Sequence, residues 1–183
     1  MTRTPFSGVV VTSVFMAVVY LALGSNLGDR EEYLRAGKTG LAAHGVQIVR
    51  SASIYSTEPR EVLQQPWFLN TVIEGSTDLS PDELLRVCLD IERQHKRMRQ
   101  TAKGPRTLDI DIIFYGDNVI RKPGLVIPHP RFPSRRFVLG PLAEIARDFI
   151  DPITGKTVGQ LLDACDDDAL VIKGSFASVP SSK

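Results

Sequence analysis

The chain has 183 residues, and its 22 lysines and arginines nearly balance 21 aspartates and glutamates, so the formal net charge is +1. This length suits one domain, and a composition of 43% hydrophobic and 23% charged residues is ordinary for a globular protein. The near-neutral balance excludes an acidic disordered chain and a protein that is basic throughout. Cys88 and Cys165 have neither the spacing of a zinc site nor that of a disulfide framework, and they favour a cytoplasmic protein.

The amino terminus contains an uncharged run over residues 9–23, which follows Arg3. This run has features of a secretory signal, but it is short for a membrane span, which needs about 20 apolar residues. We favour another interpretation, in which residues 1–17 are a poorly ordered leader or extension and residues 18–23 form a buried strand. A single domain over 18–168 and a C-terminal tail over 169–183 complete the predicted organisation.

Helix and strand patterns alternate along the rest of the chain. Asp29 with Glu32, and Ser80 with Pro81 and Glu83, have the spacing of helix starts, which predicts helices over residues 30–44 and from 81 to about 95. Strands are predicted over 46–54, 68–74 and 108–115, and short helices near 140–146 and 158–164. The order of elements predicts an α+β protein with a ferredoxin-like βαββαβ core, which is a mainly antiparallel sheet with helices packed on one face.

The predicted strand over residues 108–115 carries two acidic side chains. Alternate side chains of a strand share a face, so Asp109 and Asp111 are expected on one side and four apolar residues on the other: Leu108, Ile110, Ile112 and Phe114. Two carboxylates about 7 Å apart repel each other, and a hard divalent cation such as Mg²⁺ would relieve that repulsion. The alternative is a strand face with two solvated aspartates.

Six cationic residues precede this strand, with no acidic residue between Glu92 and Asp109: Arg93, Lys96, Arg97, Arg99, Lys103 and Arg106. Cations beside a carboxylate pair suit phosphoryl transfer, because a metal ion and guanidinium groups together neutralise phosphate oxygens. A solvated helix end and a nucleic-acid-binding patch are the alternatives. The shortness of the patch, the balanced charge and the absence of interleaved aromatic residues argue against nucleic acid.

Two loops that contain prolines hold further candidates. One loop carries a basic cluster followed by an aromatic residue: His129, Arg131, Arg135, Arg136 and Phe137. Around the other lie Thr57, Phe68 and Asn70. An asparagine side chain offers a donor and an acceptor, and an aromatic ring offers a stacking plane, so together they can hold a flat heterocycle. Taken alone, each of these residues is more typical of packing or of turns.

Several strings of residues occur in a fixed order along the chain: ALGSNLG at 22–28, QPWFLN at 65–70, GPRTLDIDI at 104–112, PHPR at 128–131 and RRFVL at 135–139. With this combination the chain resembles the 6-hydroxymethyl-7,8-dihydropterin pyrophosphokinases, a family of folate-pathway enzymes. The resemblance covers residues 18–162, and its most specific part is the string at 104–112.

The resemblance implies that ATP gives its β,γ-diphosphoryl group to the hydroxymethyl group of the pterin and leaves as AMP. It implies two Mg²⁺ ions held by Asp109 and Asp111, a pterin edge read by Thr57 and Asn70, and a pterin ring held between two aromatic residues, Phe68 and Phe137. The residues that it places against ATP are Glu92, Arg97, Arg99, Arg106, Ile112, His129 and Arg135. Arg97 and Arg106 are our candidates for stabilising charge during transfer, and with the two aspartates they form the predicted catalytic set.

The family closes three loops over its substrates, which here correspond to residues 24–30, 58–67 and 97–107. Lys103 stands where many relatives have an aromatic residue, the loop over 99–104 is short, and Gln64-Gln65 lacks an acidic residue that is often found there. We expect ATP and a pterin as partners, with no nucleic acid, no membrane and no obligate protein partner. Two other functions stay open: a binding domain that senses a nucleotide without consuming it, and an ordinary kinase that releases ADP.

Overall fold

A computed structural model describes residues 16–59, 65–95 and 106–174. Within these ranges the strands are β1 (Ala17–Ser25), β2 (Gln47–Ser51), β3 (Tyr55–Thr57), β4 (Phe68–Thr77), β5 (Asp109–Tyr115), β6 (Ile120–Lys122), β7 (Leu125–Ile127) and β8 (Val171–Lys173). The α-helices are α1 (Arg30–Ala43), α2 (Pro81–Gln94), α3 (Arg136–Ala146) and α4 (Val158–Asp163), and a short 3-10 helix spans Phe132–Ser134.

One sheet forms the centre of the fold. Its strand order is β5-β1-β4-β3-β8, and β2 also pairs with β4. Every strand pairing in this sheet is antiparallel, and β6 and β7 form a separate antiparallel hairpin. The predicted α+β class with a mainly antiparallel sheet is therefore confirmed, and β1 lies between β4 and β5.

Helices cover both faces of this sheet, so the prediction of helices on one face is wrong. On one face α1 packs on β1 and α2 packs on β5, through buried side chains such as Leu34 and Cys88. On the other face α3 and α4 pack through side chains such as Leu139 and Leu161. The sequence of β1 already contained the physical reason. A strand that is buried on both faces carries a continuous run of apolar residues rather than an alternation of apolar and polar ones.

β5 contains a β-bulge that the sequence analysis did not predict. The register of β5 against β1 shifts between Ile112 and Phe114, which leaves Ile113 as an extra residue. A bulge reverses the alternation of side chains, so Ile112 packs towards α1 and α2 while Phe114 packs on the opposite face. The prediction that Phe114 shares a face with Ile112 is therefore wrong, whereas Asp109 and Asp111 precede the bulge.

The two predicted helix starts are confirmed by their capping contacts. At α1 the Asp29 side chain accepts a hydrogen bond of 3.0 Å from the backbone nitrogen of Glu32. At α2 Ser80 is the N-cap of a reciprocal capping box. α3 begins at Arg136, whereas the predicted start was near residue 140. The prediction missed the first turn because Pro141 lies inside the helix, where proline normally ends a helical pattern.

The C-terminal end of the described chain belongs to the sheet, because β8 pairs with β3. The prediction of a tail over 169–183 is therefore wrong for the residues of β8, which form a strand. These three side chains are half-exposed or exposed, and a pattern of three residues is too short to predict a strand. Residues 175–183 and most of the predicted leader lie outside the described residues. None of the helices in the part of the chain that the structure describes has the length and apolar content to cross a lipid bilayer.

Candidate active site

The central strands align polar side chains across one face of the sheet. Gly24 of β1 is paired with Asn70 of β4 on one side and with Asp109 of β5 on the other. Directly paired residues of antiparallel strands project to the same face, so only a glycine separates the amide from the carboxylate. In the neighbouring row Asp111 lies beside Ala22. Glycine and alanine thus form a shallow floor between an amide and two carboxylates.

One side of this floor is formed by a buried polar pair from β3 and β4. Asn70 Nδ2 donates a hydrogen bond of 2.6 Å to Thr57 Oγ1, and the two residues are 8% and 2% exposed. Phe68 is paired in register with Thr57 and is half-buried. The hydroxyl, the amide and the aromatic ring that the sequence analysis proposed for a flat heterocycle therefore lie together.

Arg106 connects this aromatic ring to the first carboxylate. Its Nη1 donates a hydrogen bond of 2.6 Å to Asp109 Oδ2, and its guanidinium carbon lies 5.5 Å from the centroid of the Phe68 ring. Arg106 Nε is buried and has no hydrogen-bond partner among the described residues. A buried donor without a partner is unfavourable, so an acceptor such as a phosphate oxygen would stabilise this arginine.

Arg135 makes similar contacts beside the second carboxylate. Its guanidinium carbon lies 5.5 Å from the centroid of the Phe137 ring, and its Nη1 lies 3.8 Å from Asp111 Oδ2. His129 Nε2 lies 4.0 Å from the same oxygen, and His129 Nδ1 accepts a hydrogen bond from the backbone nitrogen of Arg131. Burial, followed by the charges of Arg135 and Arg131, lowers the pKa of His129 to about 4. The neutral ring therefore carries its proton on Nε2.

The acidic donors fit Mg²⁺. The side chains of Asp109 and Asp111 are 19% and 36% exposed, so both can be reached from solvent. The described ranges contain no group of three or more His, Cys, Asp and Glu side chains that could hold a metal ion. Mg²⁺ commonly takes one or two protein carboxylates and completes its shell with water and substrate phosphates, whereas zinc requires more protein ligands.

Two residues that were expected to face ATP are buried. Glu92 of α2 is 2% exposed, and its Oε1 accepts a hydrogen bond of 2.8 Å from the backbone nitrogen of Ile110. This contact holds α2 against β5 between the two aspartates. Ile112 is 6% exposed and packs towards α1 and α2, on the face opposite the carboxylates. The contacts of Glu92 and Ile112 with ATP stay predictions.

Other predicted residues fall outside the part of the chain that the structure describes. These are Arg97, Arg99 and Lys103, together with residues 60–64 of the loop at 58–67. Their roles therefore stay predictions as well.

Asn26 is a buried residue of the site that the sequence analysis did not single out. It is 1% exposed, and its Oδ1 accepts a hydrogen bond of 2.8 Å from the backbone nitrogen of Arg106. Its Nδ2 donates to Gln65 Oε1 and to the carbonyl oxygen of Pro66, both at 3.2 Å. The described parts of the three predicted closing loops thus meet at one side chain. Its position directly after a buried strand was the available signal, but asparagine is also common in turns.

A sequence model of one family covers this whole arrangement of strands and loops. The model of 7,8-dihydro-6-hydroxymethylpterin-pyrophosphokinase (HPPK) matches residues 20–147. The chain belongs to the HPPK family. The matched range contains all of the candidate HPPK residues from Thr57 to Phe137, whereas α4 and β8 lie beyond it.

Two bacterial proteins illustrate the similarity to HPPK. The 2-amino-4-hydroxy-6-hydroxymethyldihydropteridine pyrophosphokinase of Bacillus subtilis is 44% identical over 131 residues, which are 71% of this chain and 78% of that protein. The protein of the same name from Methylorubrum extorquens is 41% identical over 152 residues, which are 82% of this chain and 95% of that protein.

Longer proteins also contain a region similar to this chain. Folic acid synthesis protein fol1 of Pneumocystis carinii is 36% identical over 151 residues, so the match covers 82% of this chain but 20% of that protein. The crystal structure of wild-type Plasmodium falciparum HPPK-DHPS matches with a TM-score of 0.65 and 13% identity, over 81% of this chain and 44% of that chain. This structural similarity shows a common fold.

Proposed function

We propose that this chain is a Mg²⁺-dependent diphosphotransferase of folate biosynthesis. It moves the β,γ-diphosphoryl group of ATP to the hydroxymethyl oxygen of 6-hydroxymethyl-7,8-dihydropterin and releases AMP. Membership of the HPPK family supports the proposal, as do two bacterial relatives that the chain matches over most of their length. The observation that carries it is the contact of Arg106 with both Phe68 and Asp109, because it joins a ring-stacking surface to a charged phosphate-transfer site.

The pterin pocket is proposed at the ends of β3 and β4, facing the start of α3. Thr57 and Asn70 bind the polar edge of the pterin, and Phe68 and Phe137 hold its ring on both sides. Thr57 and Asn70 already share a hydrogen bond of 2.6 Å in a buried position. Their side chains are thus oriented without the ligand, which reduces the entropy cost of binding.

Gly24→Ala is expected to weaken pterin binding about tenfold, because a side chain here would disturb Asn70. A Cβ at Gly24 would lie 2.6 Å from Asn70 Oδ1, which is too close for the amide to keep its place. The dissociation constant for the pterin, measured by fluorescence titration, tests this. Gly140→Ala is the matched control, since a Cβ there lies at an ordinary distance of 3.6 Å from Val171. Equal pterin affinity in the two variants would contradict the prediction.

The metal and nucleotide subsites are proposed beside this pocket. Asp109 and Asp111 would hold two Mg²⁺ ions, which when bound neutralise phosphate oxygens and orient the polyphosphate. ATP contacts are proposed for Glu92, Arg97, Arg99, Arg106, Ile112, His129 and Arg135. Because the Ile112 side chain packs on the opposite face of β5, its contact with ATP would use backbone atoms.

The residues of the proposed site bind and orient the two substrates rather than exchange protons with them. The acceptor is a primary alcohol, and His129 cannot serve as its base, because Nε2 carries the proton and Nδ1 already accepts the hydrogen bond from Arg131. In a loose transition state little deprotonation has to precede transfer. The bond from the β-phosphorus to AMP breaks, the hydroxymethyl oxygen bonds to that phosphorus, and the alcohol proton passes to a phosphate oxygen or to water. Alignment and charge neutralisation therefore supply most of the acceleration. Arg97 and Arg106 supply the positive charge, and Arg106 exchanges Asp109 and Phe68 for phosphate oxygens as the substrates bind.

A cytoplasmic location is proposed from the cysteines. Cys88 and Cys165 are both free and buried. Burial raises the pKa of the Cys88 thiol to about 12, so it stays protonated and unreactive. Free thiols persist in the reducing cytoplasm, whereas oxidising compartments favour disulfides.

The assay of the proposed function contains the chain, ATP, Mg²⁺ and 6-hydroxymethyl-7,8-dihydropterin, with AMP and ADP resolved by chromatography. We expect AMP to form in equal amount to the pterin diphosphate and only when the pterin and Mg²⁺ are present. Release of ADP would show an ordinary kinase. Binding of ATP without consumption would show a nucleotide sensor, and either result would refute the proposed function.

A further inference from the structure

Residues 165–174, which we call the C-terminal brace, lie beyond the HPPK match, which ends at residue 147. The brace nevertheless connects the two sides of the proposed pterin pocket. At one end it contacts the start of α3, which carries Phe137. At the other end it includes β8, which pairs with β3, the strand that carries Thr57.

Asp167 attaches the brace to α3. It is 2% exposed, and its carboxylate accepts hydrogen bonds of 2.9 Å from the backbone nitrogens of Arg136 and Ala169. The Arg136 guanidinium donates in return to the carbonyl oxygens of Asp167 and Cys165, at 2.8 and 3.0 Å. A carboxylate that accepts from the first N–H of a helix is favourable both as a hydrogen bond and through the helix dipole. Because Arg136 directly precedes Phe137, these contacts fix the turn from which the aromatic ring projects.

β8 holds β3 from the side opposite β4. The backbone of Thr57 is paired with β8, and the neighbouring residues add further contacts. Ser56 Oγ donates a hydrogen bond of 2.9 Å to the carbonyl oxygen of Gly174, and the backbone nitrogen of Glu58 donates at 3.0 Å to that of Leu170. A strand of three residues therefore has a partner on both edges, which fixes the position of the Thr57 hydroxyl.

Glu144 of α3 completes the connection between the two ends. Its carboxylate accepts hydrogen bonds from Ser53 Oγ and Tyr55 Oη, both at 2.8 Å, and from Lys173 Nζ at 3.0 Å. Burial raises the pKa of Glu144, but these hydrogen bonds outweigh it and hold the pKa below its usual value. Glu144 is therefore charged at neutral pH. Because it contacts both Tyr55 of β3 and Lys173 of the brace, each of the three elements α3, β3 and the brace contacts the other two.

We propose that the C-terminal brace positions the pterin-binding side chains, with Asp167 as its main positioning residue. The inference rests on the proposed function, because it assigns the brace to the pterin subsite. The brace contacts the elements that carry Thr57 and Phe137. The two aspartates lie instead on β5, which is held by β1 and by the Glu92 side chain. Arg135, one of the proposed ATP contacts, is the N-cap of α3 and shares this turn. Loss of the brace contacts therefore weakens binding of the pterin more than binding of the nucleotide.

The test compares Asp167→Ala with Asp166→Ala, because Asp166 is an exposed neighbour of the same chemistry. Pterin affinity is measured with 6-hydroxymethyl-7,8-dihydropterin in the presence of Mg²⁺ and a saturating unreactive ATP analogue, and nucleotide affinity with the analogue and Mg²⁺ alone. We expect Asp167→Ala to raise the pterin Kd about tenfold and the nucleotide Kd by no more than about threefold, because Arg135 is one of several proposed nucleotide contacts. Asp166→Ala should match the wild type in both, and in steady state the change should fall on the KM for pterin rather than on kcat.

Asp167→Asn keeps the shape and one acceptor oxygen, so we expect it to fold and to show the same selective loss to a smaller degree. Unchanged pterin affinity in the folded Asp167 variants would overturn the inference, as would equal weakening of both ligands together with a lower Tm. A wild-type chain that binds no pterin would refute the proposed function and this inference together. If the wild-type chain binds the pterin and the Asp167 variants bind it equally well, the inference is refuted and the proposed function stands.

Discussion

Asp111→Ala is expected to lower kcat about a thousandfold, which corresponds to about 4 kcal/mol of transition-state stabilisation. The carboxylate of Asp111 lies 3.8 Å from Arg135 and 4.0 Å from His129, on the same face as Asp109. Its removal takes away one of the two carboxylates proposed for Mg²⁺ and leaves Arg135 with less negative charge around it. Asp109→Ala should act in the same direction and also removes the ion pair with Arg106.

The measurement is kcat as a function of Mg²⁺ concentration. Asp117→Ala is the matched control, because Asp117 is exposed in the turn after β5 and should keep wild-type turnover. Asp111→Asn keeps the size of the side chain and removes its charge, so a loss close to that of alanine would identify charge as the cause. Near-normal Mg²⁺-dependent turnover in Asp111→Ala would show that the aspartate pair is not a metal site.

Arg106→Ala is expected to lower kcat about a hundredfold, or about 3 kcal/mol, with a smaller change in pterin affinity. The guanidinium contacts Asp109 at 2.6 Å and covers the Phe68 ring, so it lies between the proposed metal site and the proposed pterin pocket. Its removal takes positive charge from the transition state, whereas the Phe68 ring stays available for stacking. The change should therefore fall on the rate more than on binding.

Single-turnover rates and the pterin Kd, measured on the same preparations, separate these two effects. Arg106→Lys keeps the charge but loses the planar fork that binds phosphate through two hydrogen bonds, so it should recover part of the rate. Arg121→Ala, at an exposed position on β6, is the control for a general loss of positive charge. An unchanged single-turnover rate in Arg106→Ala would remove this arginine from the proposed mechanism.

Local signals in the sequence were enough to predict most of the sheet and its first two helices. Ser80 and Asp29 cap their helices through contacts that span three residues, so short-range spacing identifies them. The alternation around Asp109 and Asp111 likewise predicts a common face, because it depends on the geometry of one strand alone. The resemblance to HPPK supplied the candidate site residues in distant loops, which local spacing could not identify.

The missed features depend on contacts between segments that are distant in sequence. The bulge at Ile113 follows from how β5 fits against β1, and no local pattern marks it. The role of Gly24 as a floor is set by its neighbours on two other strands, including Asn70. Asn26 is identified only by its hydrogen bonds to two other loops, and β8 by its pairing with β3.

The two contacts between an arginine and an aromatic ring bear on how this enzyme could be inhibited. A flat inhibitor that stacks on the face of Phe68 that Arg106 covers must displace this cation, and a neutral compound offers the cation no new partner. An inhibitor with an anionic arm directed at Arg106 would supply the partner as well as the ring. Compounds that combine a heterocycle with a short acidic arm should therefore gain more affinity than the arm's own contacts would provide.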